Sequence, residues 1–309
     1  MKRRTFIQYS AAVGAAYSIS GFGCRPNSAG ADYSKRIGLQ LYTVRNGLAK
    51  DFEGTIKKVA EAGYREIELF MPNMLDEHVP VIRDFGMTVV STHFMPGYIS
   101  DKWGQDNQRK AMLPENFGLD DIIEACARNG LNYAGVPVLF EDERENADDY
   151  RRFADLLNTA GEKFKQAGLR LFYHNHSFEF APMEGTIPMQ ILADRLDPEL
   201  VCIELDVFWT AVAGHDPIAW IEKLSGKVDL LHLKDIAAGT PVDVQTFGLS
   251  ERMPDIFLPV GKGILAFPAM LDSAHKSGVM HCFVEQDVTT GDMFEDIAFS
   301  ASYLKKTGK

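Results

Sequence analysis

Carboxylates, imidazoles and a lysine recur at the ends of apolar runs in the second half of this 309-residue chain. The stretches that carry them are Tyr173-His174-Asn175-His176-Ser177-Phe178-Glu179, Glu204-Leu205-Asp206, His232-Leu233-Lys234-Asp235 and Glu285-Gln286-Asp287. Earlier runs end in Gln40, Glu68 and His93. Such groups are costly to bury unless a metal ion or hydrogen bonds compensate. A set of carboxylates and imidazoles without thiolate suits Mn²⁺, Co²⁺, Mg²⁺ or Zn²⁺ in an open catalytic site.

Each of these residues also has an ordinary structural explanation. Glu204 and Asp206 alternate, so both could face one side of a strand, or one could cap a neighbouring helix. A single buried histidine such as His232 is commonly a hydrogen-bonded core residue, and Asp235 and Asp287 could cap loops. The groups recur at four successive strand ends, and in a (β/α)8 barrel these ends lie close together. This recurrence favours a metal site over separate structural roles.

The elements that must position these groups alternate along the chain from Lys35 onward. Short β-branched or apolar runs predict eight strands, at 36–42, 64–70, 87–94, 132–139, 169–175, 200–207, 228–234 and 280–286. Amphipathic stretches predict helices at 51–62, 75–85, 120–129, 147–167, 189–196, 217–224, 267–276 and 294–304. Eight strand–helix units of this size close naturally into a parallel (β/α)8 barrel, whose active site lies at the carboxyl ends of the strands.

A doubly wound open sheet is the alternative arrangement of the same units. That fold more often has a glycine-rich phosphate loop after its first strand, whereas here the strand runs into Tyr42-Thr43-Val44-Arg45-Asn46. No change in composition after residue 34 marks a second domain. We therefore predict a single barrel domain over residues 35–306.

The first thirty residues predict an export signal rather than part of the fold. Lys2-Arg3-Arg4-Thr5-Phe6-Ile7 precede a mildly apolar run at 11–20 that is rich in alanine, glycine and serine. The arginine pair before Phe6 fits a twin-arginine signal, which a receptor reads. Cys24 is a possible lipoprotein acceptor, although Gly21 stands where a larger aliphatic residue is expected. We expect an exported, periplasmic protein that contacts a membrane only if Cys24 is lipidated.

The distribution of charge argues against nucleic acid as a partner. The whole chain carries a net charge of −11, and the first thirty residues hold four basic residues and no acid, which leaves −15 on the remainder. A body this acidic repels a phosphate backbone and offers little for counterion release.

At the residues named above the sequence resembles the sugar phosphate isomerase/epimerase superfamily of xylose isomerase-like TIM barrels. The resemblance covers nearly all of residues 35–306. The stretches that carry it are Leu39-Gln40-Leu41-Tyr42-Thr43-Val44-Arg45, Tyr173-His174-Asn175-His176, Glu204-Leu205-Asp206, His232-Leu233-Lys234-Asp235, Gly261-Lys262-Gly263 and Val284-Glu285-Gln286-Asp287. In this order they are specific for the superfamily, but they do not specify a substrate.

The resemblance implies a metal site of Glu, Asp, His and Glu from four strands. The residues that match the second, third and fourth ligands are Asp206, His232 and Glu285. The first ligand is where this chain departs from the pattern, because the fifth strand has Phe172 or His174 in that register and the nearest acid is Glu179. We take Glu179 as the first metal ligand, with His174 or His176 as the alternatives.

The chemistry implied by the resemblance is abstraction of a proton next to a carbonyl, with the metal stabilising the enediolate. Return of the proton elsewhere gives isomerisation or epimerisation, whereas loss of a β-oxygen gives elimination. An imidazole base is available near neutral pH, and Lys234 or Lys262 could hold an oxyanion or phosphate. The candidate catalytic residues are His174, His176, Glu179, Glu285 and Lys234.

The leading functional prediction is a divalent-metal-dependent isomerase or epimerase of a small sugar or keto-sugar. Export makes a phosphorylated substrate less natural. The alternative is a metal-dependent keto-glycoside lyase or hydratase that uses β-elimination at the same intermediate. A non-catalytic carbohydrate-binding barrel and a metal-dependent DNA-repair nuclease are further readings, and the acidic body opposes the nuclease. An oligomer is compatible with all of them.

Overall fold

The strands of the molecule form a closed parallel barrel. The computed structural model describes residues 32–102, 117–245 and 249–307. Its strands are β1 (Gly38–Gln40), β2 (Glu66–Leu69), β3 (Thr88–His93), β4 (Tyr133–Val136), β5 (Arg170–His174), β6 (Val201–Asp206), β7 (Val228–Leu233), β8 (Asp235–Ile236), β9 (Phe257–Leu258) and β10 (His281–Val284). Eight of them close in the order β1-β10-β7-β6-β5-β4-β3-β2. The predicted (β/α)8 barrel is confirmed, whereas the predicted export signal and Cys24 lie outside the described residues.

The helices form a ring around the barrel and begin and end at residues typical of helix termini. The longer ones are Phe52–Ala62, Leu75–Asp84, Leu119–Arg128, Ala147–Gln166, Pro188–Arg195, Pro217–Lys223, Phe267–Ser277 and Met293–Thr307. The first begins after Asp51, whose side chain accepts from the Gly54 N–H, and ends at Gly63 with φ 104°. Across the described ranges, no helix is both long and apolar enough to cross a membrane.

An apolar layer closes the barrel interior beneath the carboxyl ends of the strands. This layer consists of Val90, Tyr133, Phe172, Cys202, Leu230 and Phe283, all buried. In β5, β6, β7 and β10 the layer residue comes two positions before a polar residue, and side chains two apart in a strand share one face. The polar residues that follow are His174, Glu204, His232 and Glu285. The polar groups of the barrel therefore lie directly next to a layer of packed, buried side chains.

Parallel pairing aligns these polar residues across neighbouring strands. Asp206 of β6 is paired with His232 of β7, and His174 of β5 with Glu204 of β6. On the other side of the barrel, Glu68 of β2 is paired with Gln40 of β1 and with Ser91 of β3. Closure of the barrel then brings both sides toward its axis.

After β7 and β8 the chain leaves the barrel over residues 237–256, an excursion whose returning end is held by one carboxylate, that of Asp235. β8 pairs antiparallel with β9, and Asp235 at the start of β8 is 1% exposed. Its side chain accepts from the backbone N–H groups of Ile236, Gly261, Gly263 and Leu265 at 2.8–3.1 Å. A Cβ at position 263 would overlap this carboxylate, so only glycine fits there. The return of the excursion is thus fixed directly beside the end of β7.

Candidate metal centre and active site

Four ligand-type side chains converge at the carboxyl end of the barrel, and we call them the upper ligand group. They are His174, Asp206, His232 and Glu285, all buried, each offering one ligand atom within 4.8 Å of the others. His232 Nδ1 lies 2.9 Å from Glu285 Oε2 and 3.7 Å from Asp206 Oδ2. His174 Nε2 lies 3.4 Å from Asp206 Oδ2. Two carboxylates and two imidazoles therefore face one point.

A second set of four residues lies directly below and shares one histidine with the first; we call it the lower ligand group. Glu68, His93, Glu204 and His232 are buried, and their ligand atoms also lie within 4.8 Å of one another. His232 Nε2 is 2.6 Å from Glu68 Oε1 and 3.2 Å from Glu204 Oε1. His93 Nε2 is 3.1 Å from Glu68 Oε1 and 2.9 Å from Glu204 Oε2.

The upper ligand group fits a divalent cation. His174 Nε2, Asp206 Oδ2 and His232 Nδ1 are buried atoms that make no hydrogen bond of good geometry. Buried polar atoms are rarely left in this state unless a ligand or ion completes them. Imidazole nitrogen and carboxylate oxygen are ligands that suit Mn²⁺, Co²⁺ and Zn²⁺. The residues present are therefore compatible with the metal centre expected from the sequence.

Lys234 lies beside the upper ligand group and contributes a buried positive charge. Its Nζ is 2.7 Å from Glu285 Oε2, 3.1 Å from Asp287 Oδ1 and 3.2 Å from Asp206 Oδ2. Burial lowers its pKa, but Asp206, Asp287 and Glu285 outweigh burial and hold it well above its usual value. Although burial opposes it, Lys234 in turn helps to hold the pKa of Glu285 well below the usual range, together with His232. Lys234 therefore stays an ammonium and Glu285 a carboxylate.

The two histidines after β5 are held in different ways. His174 Nδ1 lies 2.9 Å from the carbonyl oxygen of Pro137. Since a carbonyl only accepts, Nδ1 carries a hydrogen, and Nε2 is the nitrogen that faces the upper ligand group. The His176 ring lies 4.9 Å from that of His174 and 5.1 Å from that of Trp209. Burial, His174 and Lys234 hold the pKa of His176 well below its usual value, so its imidazole is neutral.

The structure places His174, and not Glu179, in the upper ligand group. The chain turns at Phe178–Phe180, and Glu179 bends back onto its own segment. Its Oε1 accepts from the Tyr173 hydroxyl at 2.5 Å and its Oε2 from the His176 N–H at 2.8 Å. Burial raises the pKa of Glu179 to about 8, against the opposing effect of these hydrogen bonds. In this arrangement Glu179 holds the His176 backbone in place.

Lys262, the other candidate for binding an anion, lies away from these groups. Its Nζ is 3.6 Å from Asp296 Oδ1 and 4.7 Å from the Phe299 ring centroid, and the side chain is 47% exposed. The glycines on either side of it hold Asp235 instead of a ligand. Of the two lysines considered from the sequence, Lys234 is therefore the one beside the candidate site.

Of the lower ligand group, only His232 was given a role from the sequence, whereas Glu68, His93 and Glu204 were not assigned one. Glu68 and His93 stand at predicted strand ends, but on strands far from the acidic second half of the chain. The sequence signal that could have found them is an ionisable residue in a strand that is expected to be buried, because such a residue needs a partner inside the fold. Only closure of the barrel shows that this partner is His232.

The fold is a parallel (β/α)8 barrel, and its buried carboxylates and imidazoles lie at the carboxyl ends of the strands. Barrel enzymes carry their active sites at this end, so fold and site together define this class of protein. The family model described as xylose isomerase-like TIM barrel matches residues 56–304, and the chain belongs to this family. The family resemblance drawn from the sequence is thereby confirmed.

Several curated relatives match over most of their length. The chain is 28% identical over 264 residues to inosose dehydratase 2 of Bacillus cereus, covering 81% of this chain and 87% of the relative. It is 25% identical over 265 residues to the inosose dehydratase of Mesomycoplasma hyopneumoniae, covering 82% and 88%. A crystal structure of a sugar phosphate isomerase/epimerase from Parabacteroides distasonis superposes with a TM-score of 0.70 at 25% identity, covering 88% and 94%.

Proposed function

We propose that this chain is a divalent-metal-dependent lyase that removes water from a small keto-polyol or keto-sugar by β-elimination. The observation that carries the proposal is the upper ligand group with a neutral imidazole, His176, and a fixed ammonium, Lys234, beside it. The names of the inosose dehydratases, which match over four fifths of this chain, support the same class of reaction and suggest inosose as the first substrate to test.

The ion would be held by His174 Nε2, His232 Nδ1 and the carboxylates of Asp206 and Glu285. A divalent ion bound there supplies a Lewis acid for a carbonyl oxygen and the neighbouring hydroxyl of the substrate. Lys234, which stays charged, adds a second positive group where an oxyanion develops.

Proton transfer in this proposal belongs to His176. Its neutral imidazole takes the proton from the carbon next to the carbonyl and then gives it to the β-hydroxyl as the C–O bond breaks. The products are water and an unsaturated ketone, and the imidazole is neutral again at the end. One base is therefore enough for elimination.

The alternative fate of the same intermediate is epimerisation or isomerisation, the leading prediction from the sequence. Isomerisation needs only one base that returns the proton to the neighbouring carbon, whereas epimerisation requires a second group that returns a proton on the opposite face. Glu285 is the candidate, and the name of the Parabacteroides structure favours this class of reaction. Against it, Lys234 and His232 keep the pKa of Glu285 well below the usual range, so that it lacks a proton to return.

The test is an assay of the purified full chain with inosose and with a 3-keto-glucoside, in the presence of Mn²⁺, Co²⁺ or Zn²⁺ and then of chelator. We expect chelator-sensitive formation of an unsaturated ketone, a loss of about 10²- to 10⁴-fold in His176→Gln, and unchanged turnover in the distant exposed variant Glu61→Gln. Epimers that keep every oxygen would support the second candidate. Ion binding without turnover of either substrate would contradict the proposed dehydration.

A further inference from the structure

His232 is the residue through which the two ligand groups meet, and each of its ring nitrogens faces a different pair of carboxylates. Nδ1 points to Glu285 and Asp206 at 2.9 and 3.7 Å. Nε2 points to Glu68 and Glu204 at 2.6 and 3.2 Å. The ring is completely buried.

The Glu68 carboxylate that faces Nε2 is itself fixed from two neighbouring strands. Its Oε1 accepts from Gln40 Nε2 at 2.9 Å, and its Oε2 accepts from the Ser91 hydroxyl at 2.6 Å. The orientation of the Gln40 amide is set in turn, because its oxygen accepts from the Tyr42 N–H at 2.9 Å. Glu68 therefore has little freedom to turn away from His232.

His93 links the two carboxylates of the lower ligand group to each other. Its Nε2 lies 3.1 Å from Glu68 Oε1 and 2.9 Å from Glu204 Oε2. Burial opposes protonation of His93, but Glu68 and Glu204 outweigh burial and raise its pKa to about 9. His93 therefore bridges the two carboxylates inside the barrel.

We propose that Glu68, supported by Glu204, is a positioning residue that keeps the hydrogen of His232 on Nε2 and thereby leaves Nδ1 as the metal-binding atom. With the ion on Nδ1 the imidazole is neutral and has one N–H, and the Glu68 carboxylate 2.6 Å from Nε2 holds it there. A carboxylate that accepts from a ligand histidine also fixes the ring and makes its other nitrogen a stronger donor to the ion. This inference rests on the proposed metal-dependent function.

The competing interpretation is that the lower ligand group binds a second ion through Nε2. Its four ligand atoms lie close enough together for this to be chemically reasonable. The two interpretations differ in stoichiometry and in the atom that carries the hydrogen. One ion with an Nε2–H agrees with positioning, whereas two ions with no ring hydrogen on His232 would overturn it.

The experiment measures Zn²⁺ affinity of the full chain by competition with a chelator, together with ¹⁵N chemical shifts of the His232 ring in the zinc-loaded protein. We expect one ion per chain, an Nε2–H in the wild type, and an affinity about 10- to 100-fold lower in Glu68→Gln. The matched control is Glu66→Gln, on the same strand and also buried, whose carboxylate pairs with His281 at 2.8 Å. It should keep the wild-type affinity.

Further variants separate the possible failures. Asp206→Ala should abolish binding; if the wild type binds no ion, or if Asp206→Ala binds as well as wild type, the proposed metal site itself is wrong. If Asp206→Ala loses the ion but Glu68→Gln binds as tightly as wild type, the site stands and the positioning role is overturned. Should Glu68→Gln not fold, Ser91→Ala removes one hydrogen bond to Glu68 and should lower the affinity about threefold to tenfold.

Discussion

At the scale of single residues, the fate of Glu179 shows how local turns decide which side chain reaches a site. Asp206, His232 and Glu285 could be placed together from the sequence, because consecutive barrel strands end side by side. Glu179 was predicted as the first ligand because it is the nearest acid to β5. The turn after β5 instead returns its carboxylate to Tyr173, and nothing in residue spacing encodes the direction of such a turn.

The buried carboxyl of Glu179 gives the stability of the protein a pH dependence that can be measured. Because its pKa is about 8 in the fold and close to the ordinary value when unfolded, protonated Glu179 is favoured by folding. Stability is then lost as pH rises from about 4.5 toward 8, at up to about 1.4 kcal/mol per pH unit.

Glu179→Gln should remove this slope, so that the stability of the variant relative to wild type rises between pH 5 and pH 8 in urea unfolding. The exposed Glu61→Gln should keep the wild-type slope. Parallel curves for wild type and Glu179→Gln would show that the carboxyl titrates normally in the fold.

At the scale of strands and helices, the sequence predicts every strand of the barrel but not the exact ends. The first strand was predicted over 36–42, whereas β1 stops at Gln40 because the Gln40 side chain binds the Tyr42 N–H and starts a turn. The sheet of β8 and β9 was missed altogether, since two-residue strands carry no periodicity. Hydrophobic pattern defines elements; side-chain hydrogen bonds define where they end.

The contact between β4 and β5 offers a test of packing inside the barrel. A Cβ at Gly135 would overlap both the ring and the carbonyl oxygen of Phe172, which is two residues before His174. Because a backbone oxygen cannot move aside cheaply, Gly135→Ala should lower the free energy of unfolding by about 1–3 kcal/mol. Gly291→Ala, where the nearest heavy atom is 3.7 Å away, should stay within about 0.5 kcal/mol. Urea denaturation measures both, and equal stabilities would contradict this packing.

At the scale of the whole molecule, the ligand groups assemble only when the barrel folds, so the proposed ion binding would be coupled to folding. Their residues come from β2, β3, β5, β6, β7 and the residue after β10, so the site exists only when the barrel is closed. An ion bound there would be released on unfolding, because unfolding separates its ligands.

A ligand that binds only the folded state therefore stabilises it, by about 2.7 kcal/mol at a free concentration of 100 Kd. We expect Zn²⁺ or Mn²⁺ to raise the melting temperature of the full chain, and chelator to reverse the shift. Asp206→Ala should show no such shift; an equal shift in that variant would place the ion elsewhere on the protein.

The anchoring of the chain at Asp235 has a consequence for how such a protein diversifies. Its bonds to the returning chain are made to backbone N–H groups, so they depend on Asp235 and the glycines around Lys262 and not on the residues in between. Within residues 237–256, Leu249 and Ile256 belong to one buried cluster with Phe208 and Trp209, so these two positions are constrained as well. Evolution, or a laboratory loop exchange, can therefore vary the exposed positions of this segment, such as Val242, while the bonds of Asp235 keep the returning chain joined to the end of β7.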